Sequence, residues 1–390
     1  MSHEFDVAVA GASVAGNSAA RQAAEAGLSV IVFDDDLEVG TPEKCGGLVS
    51  LTSLKQLGVA PSSRIISENI RSAVLVAPGG KTLELDATRL GVVALRRREL
   101  DKAIAKEAAR AGATYHMGER VLSLEEKEGS VKVATSTSHY EAKYFVDARG
   151  IVTYKGFRPE GLLQAIQYEC VFPDLRRGTV EVLFDKRLSK EYFLWVIPLD
   201  PITARVGIAG KGNLLQPSLE SYIERRGGKT IKKTFASIIV GGPLDKFVFG
   251  RKVLVGDAAG QTKPITAGGI FSGGVGGKMA GEALAEALTK GDRGLLDGYE
   301  RSWRNQFEKD FRVQLALREL YVDLGNDDID ALFKVLARSE AAERLRDGNF
   351  DYHSINLLRL LGAKGFLDSL LVLGKRFQRL RSLLTIIERK

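Results

Sequence analysis

Two glycine-rich turns, 240 residues apart, constrain this chain more than any other feature of its sequence. The first follows the apolar run Phe5-Asp-Val-Ala-Val-Ala10 and reads Gly11-Ala-Ser13-Val-Ala15-Gly16. Helix-compatible Asn17 to Ala26 comes next, closed by Gly27, and a second apolar run, Leu28 to Phe33, ends at Asp34. This order predicts a βαβ unit, with an acidic residue 18 positions beyond Gly16 where a ribose hydroxyl is expected. Ser13 stands at the middle glycine of the fingerprint. Its Cβ limits backbone approach to a pyrophosphate, but its hydroxyl can donate a hydrogen bond.

The second turn is Arg251-Lys-Val-Leu-Val-Gly-Asp257-Ala-Ala-Gly260, followed by Pro264 and Gly268-Gly269. Val253 to Val255 predicts a buried strand ended by Gly256-Asp257. The small residues after it are expected to open a helix whose N-terminus approaches a ligand. Two such units grip the two ends of one elongated dinucleotide. The expectation is an FAD enzyme, with the nucleotide half on the first unit and the flavin half on the second. The cofactor is expected to be non-covalent, since neither region offers a histidyl or cysteinyl attachment signature.

At 390 residues, 44% apolar and 27% charged, the chain has room for two domains. Its two cysteines, Cys45 and Cys170, make no disulfide framework and indicate a reducing, cytoplasmic compartment. No signal peptide is expected, since Phe5–Ala10 is too short and reads better as a strand, and no run of apolar residues is long enough to span a bilayer. The net charge of +7 is uneven: residues 331–390 hold twelve Lys/Arg against six Asp/Glu. A nearly neutral body argues against nucleic-acid binding. His3, His116, His139 and His353 show no metal spacing, so no metal site is expected.

Along the chain the pattern predicts a helix over Leu48–Leu57 and strands at Ile70–Ala77, Thr82–Asp86 and Val92–Leu95. A helix over Arg97–Ala111 and strands at 114–117, 121–125, 131–135 and 144–148 follow. Residues 163–172, 179–184, 192–198 and 204–209 read as an antiparallel sheet with short polar turns. The expected fold is α/β: a Rossmann-like FAD-binding domain assembled from residues 1–160 and 246–320, with an inserted antiparallel-sheet substrate domain over 161–245. A helical basic C-terminal region, 321–390, completes it.

Read in order, these segments resemble the geranylgeranyl reductase family, within the p-hydroxybenzoate hydroxylase superfamily of flavoproteins, and best the archaeal enzymes that saturate isoprenoid chains of membrane lipids. The resemblance covers roughly residues 1–320. It rests on Val39-Gly-Thr-Pro-Glu-Lys-Cys45-Gly46-Gly47, on Arg97 in Leu95-Arg-Arg97-Arg-Glu-Leu-Asp101, on Phe193-Leu-Trp195-Val-Ile197-Pro198, and on Gly256-Asp257-Ala-Ala with Pro264-Ile-Thr-Ala-Gly268-Gly269. Four departures stand out. Ser13 replaces a glycine, Phe193 takes a tyrosine position with Tyr192 one place earlier, Ile197 replaces a phenylalanine, and Arg149-Gly150 replaces the superfamily's Asp-Gly pair. The last puts reduction by a nicotinamide in doubt and favours a ferredoxin-like donor over NAD(P)H.

The resemblance implies FAD-dependent reduction of carbon–carbon double bonds in geranylgeranyl chains of ether phospholipids. Expected FAD contacts are Gly11, Ser13, Ala15, Gly16 and Asp34 from the first unit, and Asp257, Gly268, Gly269 and Ile270 from the second. Cys45, Gly46, Arg97 and Val121 are expected between them. The resemblance places Cys45 beside the isoalloxazine ring, where the thiol or a bound water is the candidate proton donor. Tyr192, Phe193, Trp195 and Pro198 are the expected walls of an apolar substrate tunnel. Cys170, inside an apolar strand, reads as core.

Two other classes share parts of this pattern. A flavin-dependent monooxygenase or halogenase shares the fold, but a halogenase's lysine-bearing tryptophan-rich motif is not found. An electron-transfer flavoprotein–quinone oxidoreductase-like protein calls for a cluster that two cysteines cannot ligate. Finally, Phe366, Leu370, Leu373, Phe377, Leu380, Leu384 and Ile387 fall at helical intervals among Lys375, Arg376, Arg379 and Arg381. Such a stripe either packs on the body or lies on an anionic membrane surface, which would make the protein peripheral.

Overall fold

The computed structural model describes residues 4–338 and 350–352. The C-terminal stripe expected over 366–387 lies outside the described residues. Among the described residues three sheets form. The first has eight strands, and its centre is parallel: β18 (Lys252–Leu254), β11 (His139–Asp147), β1 (Glu4–Ala10), β2 (Val30–Asp34) and β8 (Thr114–Met117). Val7 to Ala10 and Val30 to Phe33 are buried without alternation, as strands covered on both faces must be. Antiparallel β9 (Val121–Glu126) and β10 (Val131–Thr135) fold over one end, and short β17 (Val248–Phe249) borders β18.

Helix α1 (Val14–Glu25) returns β1 to β2, and α3 (Arg97–Arg110) packs beside it on the same face. Helix α6 (Ile270–Lys290) lies against α1 in unusually close approach. A Cβ on Gly277 would stand 2.0 Å from the carbonyl oxygen of Ala15, so only glycine permits this crossing. Helix α7 (Leu296–Asp323) is tied to α6 by Trp303, fully buried, whose Nε1 donates to Ser272 O at 3.0 Å. Replacing such a residue with alanine costs about 3–5 kcal/mol. The helix expected directly after Asp257 starts later: Gly256–Ala259 make a 3₁₀ turn, and α6 begins at Ile270.

The second sheet has seven strands in the order β16-β12-β15-β14-β13-β5-β6. Five come from the expected region: β12 (Leu162–Val171), β13 (Thr179–Leu183), β14 (Leu194–Pro198), β15 (Thr203–Gly210) and β16 (Lys229–Ile239). The other two, β5 (Ser72–Val76) and β6 (Thr82–Asp86), come from nearer the N-terminus. β13 and β5 pair in parallel from Thr179↔Ser72 to Leu183↔Val76. The sheet therefore does not coincide with 161–245. Helix α5 (Leu215–Arg225) covers one face, and α8 (Asn326–Arg338) packs Ile329 and Phe333 near β6. The region expected as a helix over 48–57 is split: β3 (Leu48–Ser50) pairs with β7 (Val92–Leu95), which also pairs with β4 (Ile66–Asn69), and α2 (Leu51–Gln56) follows. Helix α4 (Ile151–Phe157) continues from β11.

Candidate active site

A cavity of about 1050 Å³ runs from the carboxyl ends of β1 and β2 to the inner face of the second sheet. It is at the upper end of the usual size for small-molecule sites. At its first end the turn after β1 is drawn tight. A Cβ on Gly16 would stand 1.9 Å from the carbonyl oxygen of Gly11, so Gly16 permits the turn and is not itself part of the cavity wall. Gly11, Ser13 and Ala15 do line it. Asp34 ends β2 and accepts a hydrogen bond from Ala12 N at 2.6 Å, which fixes its carboxylate at the turn. Val121 closes the same end.

Arg97, in the first turn of α3, connects three segments. Its Nη2 donates to Asp101 at 3.1 and 3.2 Å and to Ser13 Oγ at 3.4 Å, and Cys45 lies beside it. Burial pulls the guanidinium toward neutrality, but Asp101 and Cys45 outweigh this and hold it charged. Its Nε is buried with no hydrogen-bond partner among the described residues. An unsatisfied donor on a charged group in a cavity wall is a site for an anionic oxygen.

The other end is built by the second glycine-rich turn. Asp257 follows β18 and faces the cavity, where Thr262 Oγ1 donates to its Oδ1. Burial pushes the Asp257 carboxyl above the ordinary aspartate range. A Cβ on Gly269 would come within 2.8 Å of that same Oδ1, so glycine is required for the approach. Gly268, Gly269 and Ile270 line the cavity, and the N-terminus of α6 carries no side-chain cap. Its free N–H groups and dipole favour negative charge there.

Between these ends the loop carrying Cys45 is clamped from both sheets. Arg205, on β15 and 5% exposed, donates to Gly46 O at 3.2 Å, to Leu95 O at 2.9 Å and to Glu43 Oε1 at 2.7 Å. Glu43 Oε1 also accepts Arg97 N at 2.5 Å. Gln167 on β12 donates to Cys45 O at 3.3 Å and accepts Trp195 Nε1 at 3.1 Å. Gly47 N donates to Cys45 Sγ at 3.3 Å. Gly46 lines the cavity beside Cys45. Arg205 and Gln167 were not singled out from sequence. The signal was a lone charge in Thr203-Ala-Arg205-Val-Gly-Ile and an amide among the apolar residues of β12, where an unpaired buried polar group is too costly to persist.

Tyr192, Phe193, Trp195 and Ile197 form the far wall, with Val180, Val182, Ala73 and Leu75. The Tyr192 and Phe193 rings stack at 4.1 Å. Pro198 does not line the cavity. Side chains alternate along β14, so Trp195 and Ile197 face inward, while Pro198 shares the parity of Leu194 and Val196 in the core under α5. Arg149 lies in the wall but is held by Asp147, with Nε–Oδ1 at 3.0 Å and Nη2–Oδ2 at 2.7 Å.

Residues 6–153 match the family described as FAD dependent oxidoreductase. Digeranylgeranylglycerophospholipid reductase 2 of Methanothermobacter thermautotrophicus is 32% identical over 380 residues, covering 92% of this chain and 96% of its own. The chain belongs to the digeranylgeranylglycerophospholipid reductase family. Among solved structures, the geranylgeranyl bacteriochlorophyll reductase-like protein of Thermoplasma acidophilum superposes with a TM-score of 0.85 at 22% identity, over 98% of this chain and 100% of that one. The flavin-dependent brominase Bmp2 shares the fold, with a TM-score of 0.65 at 17% identity over 91% of this chain and 97% of its own. This reductase family member is an FAD-dependent enzyme. The orphaned Arg97 Nε, the uncapped α6 N-terminus and the glycine approach at Asp257 fit that cofactor.

Proposed function

We propose that this protein saturates carbon–carbon double bonds in geranylgeranyl chains carried on glycerophospholipids. The observation that carries the reading is continuity: one cavity joins the α6 N-terminus, the Cys45 loop and the apolar wall of Tyr192, Phe193 and Trp195. A bound reduced FAD supplies hydride to an alkene. In this assignment Asp34 and Arg97 hold the nucleotide half of the cofactor. Asp257, Gly268, Gly269 and Ile270 hold the flavin half, with the α6 N-terminus favouring its anionic reduced form. The aromatic wall excludes water and lays the polyprenyl chain along the second sheet. Cys45, at the junction, governs turnover by contact with the reacting alkene.

Isolated trisubstituted alkenes are poor hydride acceptors, so orientation and a placed proton matter more here than binding strength. The bidentate grip of Asp147 on Arg149 supports reduction by a low-potential protein such as a ferredoxin rather than by a nicotinamide. A lipid substrate implies work at a membrane surface, and the basic stripe of 366–387 is the candidate contact. No helix among the described residues is long and apolar enough to cross a membrane.

Dithionite-reduced protein incubated with an unsaturated digeranylgeranyl glycerophospholipid should yield product with two hydrogens gained per reduced bond, read by mass spectrometry. Oxygen or halogen insertion under air and halide would instead support the monooxygenase or halogenase reading. A lipid recovered unchanged would defeat the reductase assignment.

A further inference from the structure

The loop between Asp257 and α6 carries a buried charged side chain in the cavity wall. Lys263 is 5% exposed and lines the cavity with Ile265 and Phe350. Its stem passes under the flavin-end loop: a Cβ on Gly268 would meet Lys263 Cε at 2.8 Å. Its Nζ lies 5.0 Å from the centre of the Phe350 ring and 3.7 Å from Asp351 Oδ1, too far for a hydrogen bond. Asp351 meanwhile accepts Ser53 Oγ at 2.5 Å and Ser50 N at 3.3 Å through its other oxygen. The ammonium is therefore buried in an ion pair with Asp351 at 3.7 Å.

We propose that Lys263 delivers the proton that completes alkene reduction, from an ε-ammonium set between the flavin-end loop and the apolar wall. The inference rests on the reductase reading. In the step, hydride from the bound reduced flavin forms a C–H bond at one alkene carbon and brings both electrons. An N–H bond of Lys263 breaks to form the C–H bond at the other carbon. The alkene becomes an alkane, the flavin is oxidised, and Lys263 is left as a neutral amine that regains a proton from water once product leaves. Cys45 then serves as the surface against which the alkene rests.

Among the described residues, the ionisable groups facing Lys263 are Asp351 and Asp310, the latter on α7. Burial pulls the ammonium below the ordinary lysine range despite both carboxylates, so its proton is held more loosely than on a surface lysine. A lysine tuned downward in this way gives up its proton more readily than an ordinary one, as a general acid must.

The test is single-turnover reduction of the lipid by dithionite-reduced holoenzyme from about pH 6 to about pH 10. The wild-type rate should fall as pH rises through the ionisation of Lys263. Lys263→Met should be slower by at least about tenfold at neutral pH and lack that alkaline limb, with FAD occupancy and flavin spectrum retained. Lys263→Arg keeps the charge but holds its proton too tightly to donate it, and should be nearly as slow. An arginine variant as fast as wild type, or a wild-type rate flat to high pH, overturns proton donation.

A second measurement needs neither variant nor turnover. Trace acetic anhydride on oxidised holoenzyme, read by peptide mass spectrometry, should acylate Lys263 at lower pH than exposed Lys55. A Lys263 that stays unlabelled, or labels only with Lys55, counts against the proposal. Wild-type enzyme that leaves the lipid unsaturated refutes the reductase reading. Wild type that saturates it beside an equally fast Lys263→Met refutes only the role of Lys263.

Discussion

Arg205→Leu tests whether the Cys45 loop depends on the clamp from the second sheet. The change removes three hydrogen bonds from a charged donor, to Gly46 O, Leu95 O and Glu43 Oε1. It also strands Glu43 against Arg97 N. Breaking a buried pair costs about 3–5 kcal/mol. Here the Glu43 side chain is 20% exposed, so solvent screens part of that loss and about 2–4 kcal/mol is expected. The catalytic consequence is separate: with Gly46 released, Cys45 should lose its fixed position and alkene reduction should fall by at least tenfold, about 1.4 kcal/mol of barrier. FAD affinity should change little, because Asp34 and Asp257 are untouched.

The assays are chemical denaturation of wild type, Arg205→Leu, Glu43→Leu and the double variant, with single-turnover lipid reduction on each. If the damage comes from a stranded carboxylate, the double variant should be less destabilised than the sum of the singles. Strict additivity, or Arg205→Leu with unchanged turnover, would refute the clamp.

Three further outcomes are expected. The purified protein should be yellow and release intact FAD on denaturation, and Asp257→Ala should lower FAD occupancy more than a change at exposed His139, measured by flavin-to-protein absorbance. Because Asp147 pins Arg149, NADH and NADPH should bleach the flavin slowly in stopped flow while reduced ferredoxin or dithionite does so quickly; rapid bleaching by a nicotinamide would contradict this. Cys45→Ser should keep the flavin spectrum and occupancy but slow single-turnover saturation by about tenfold or more, whereas equal rates would leave Cys45 as a packing residue.

Local features of the fold were legible in the sequence, and long-range pairings were not. The run Phe5–Asp34 predicts β1, α1 and β2 because strand, turn and helix there are each specified by adjacent residues. Asp257 and Gly268-Gly269 were likewise readable as neighbours in one turn, and they line the cavity together, although the 3₁₀ turn before α6 was not legible. Strand β16 escaped notice because Lys229, Lys232 and Lys233 on an exposed edge mask its alternation. β5 and β6 were visible as strands, but nothing local shows that Ser72 pairs with Thr179. Glu43, Arg205 and Gln167 are far apart in sequence, and only folding reveals that they hold the same loop. Lys263 stood inside a motif already read for its glycines, and its burial is a tertiary property.

The two-segment origin of the second sheet limits how this enzyme can be recombined. The chamber wall takes Ala73 and Leu75 from one segment and Val180, Val182 and Trp195 from another about 100 residues later, joined by the parallel β5–β13 pairing. A chimera that exchanges only a continuous block such as 161–245 with a relative would pair a foreign β13 with a native β5 and mix two chamber shapes. The transferable specificity module is discontinuous, residues 72–86 together with 162–239, and crossovers placed at both sets of boundaries should preserve folding where a single block exchange would not.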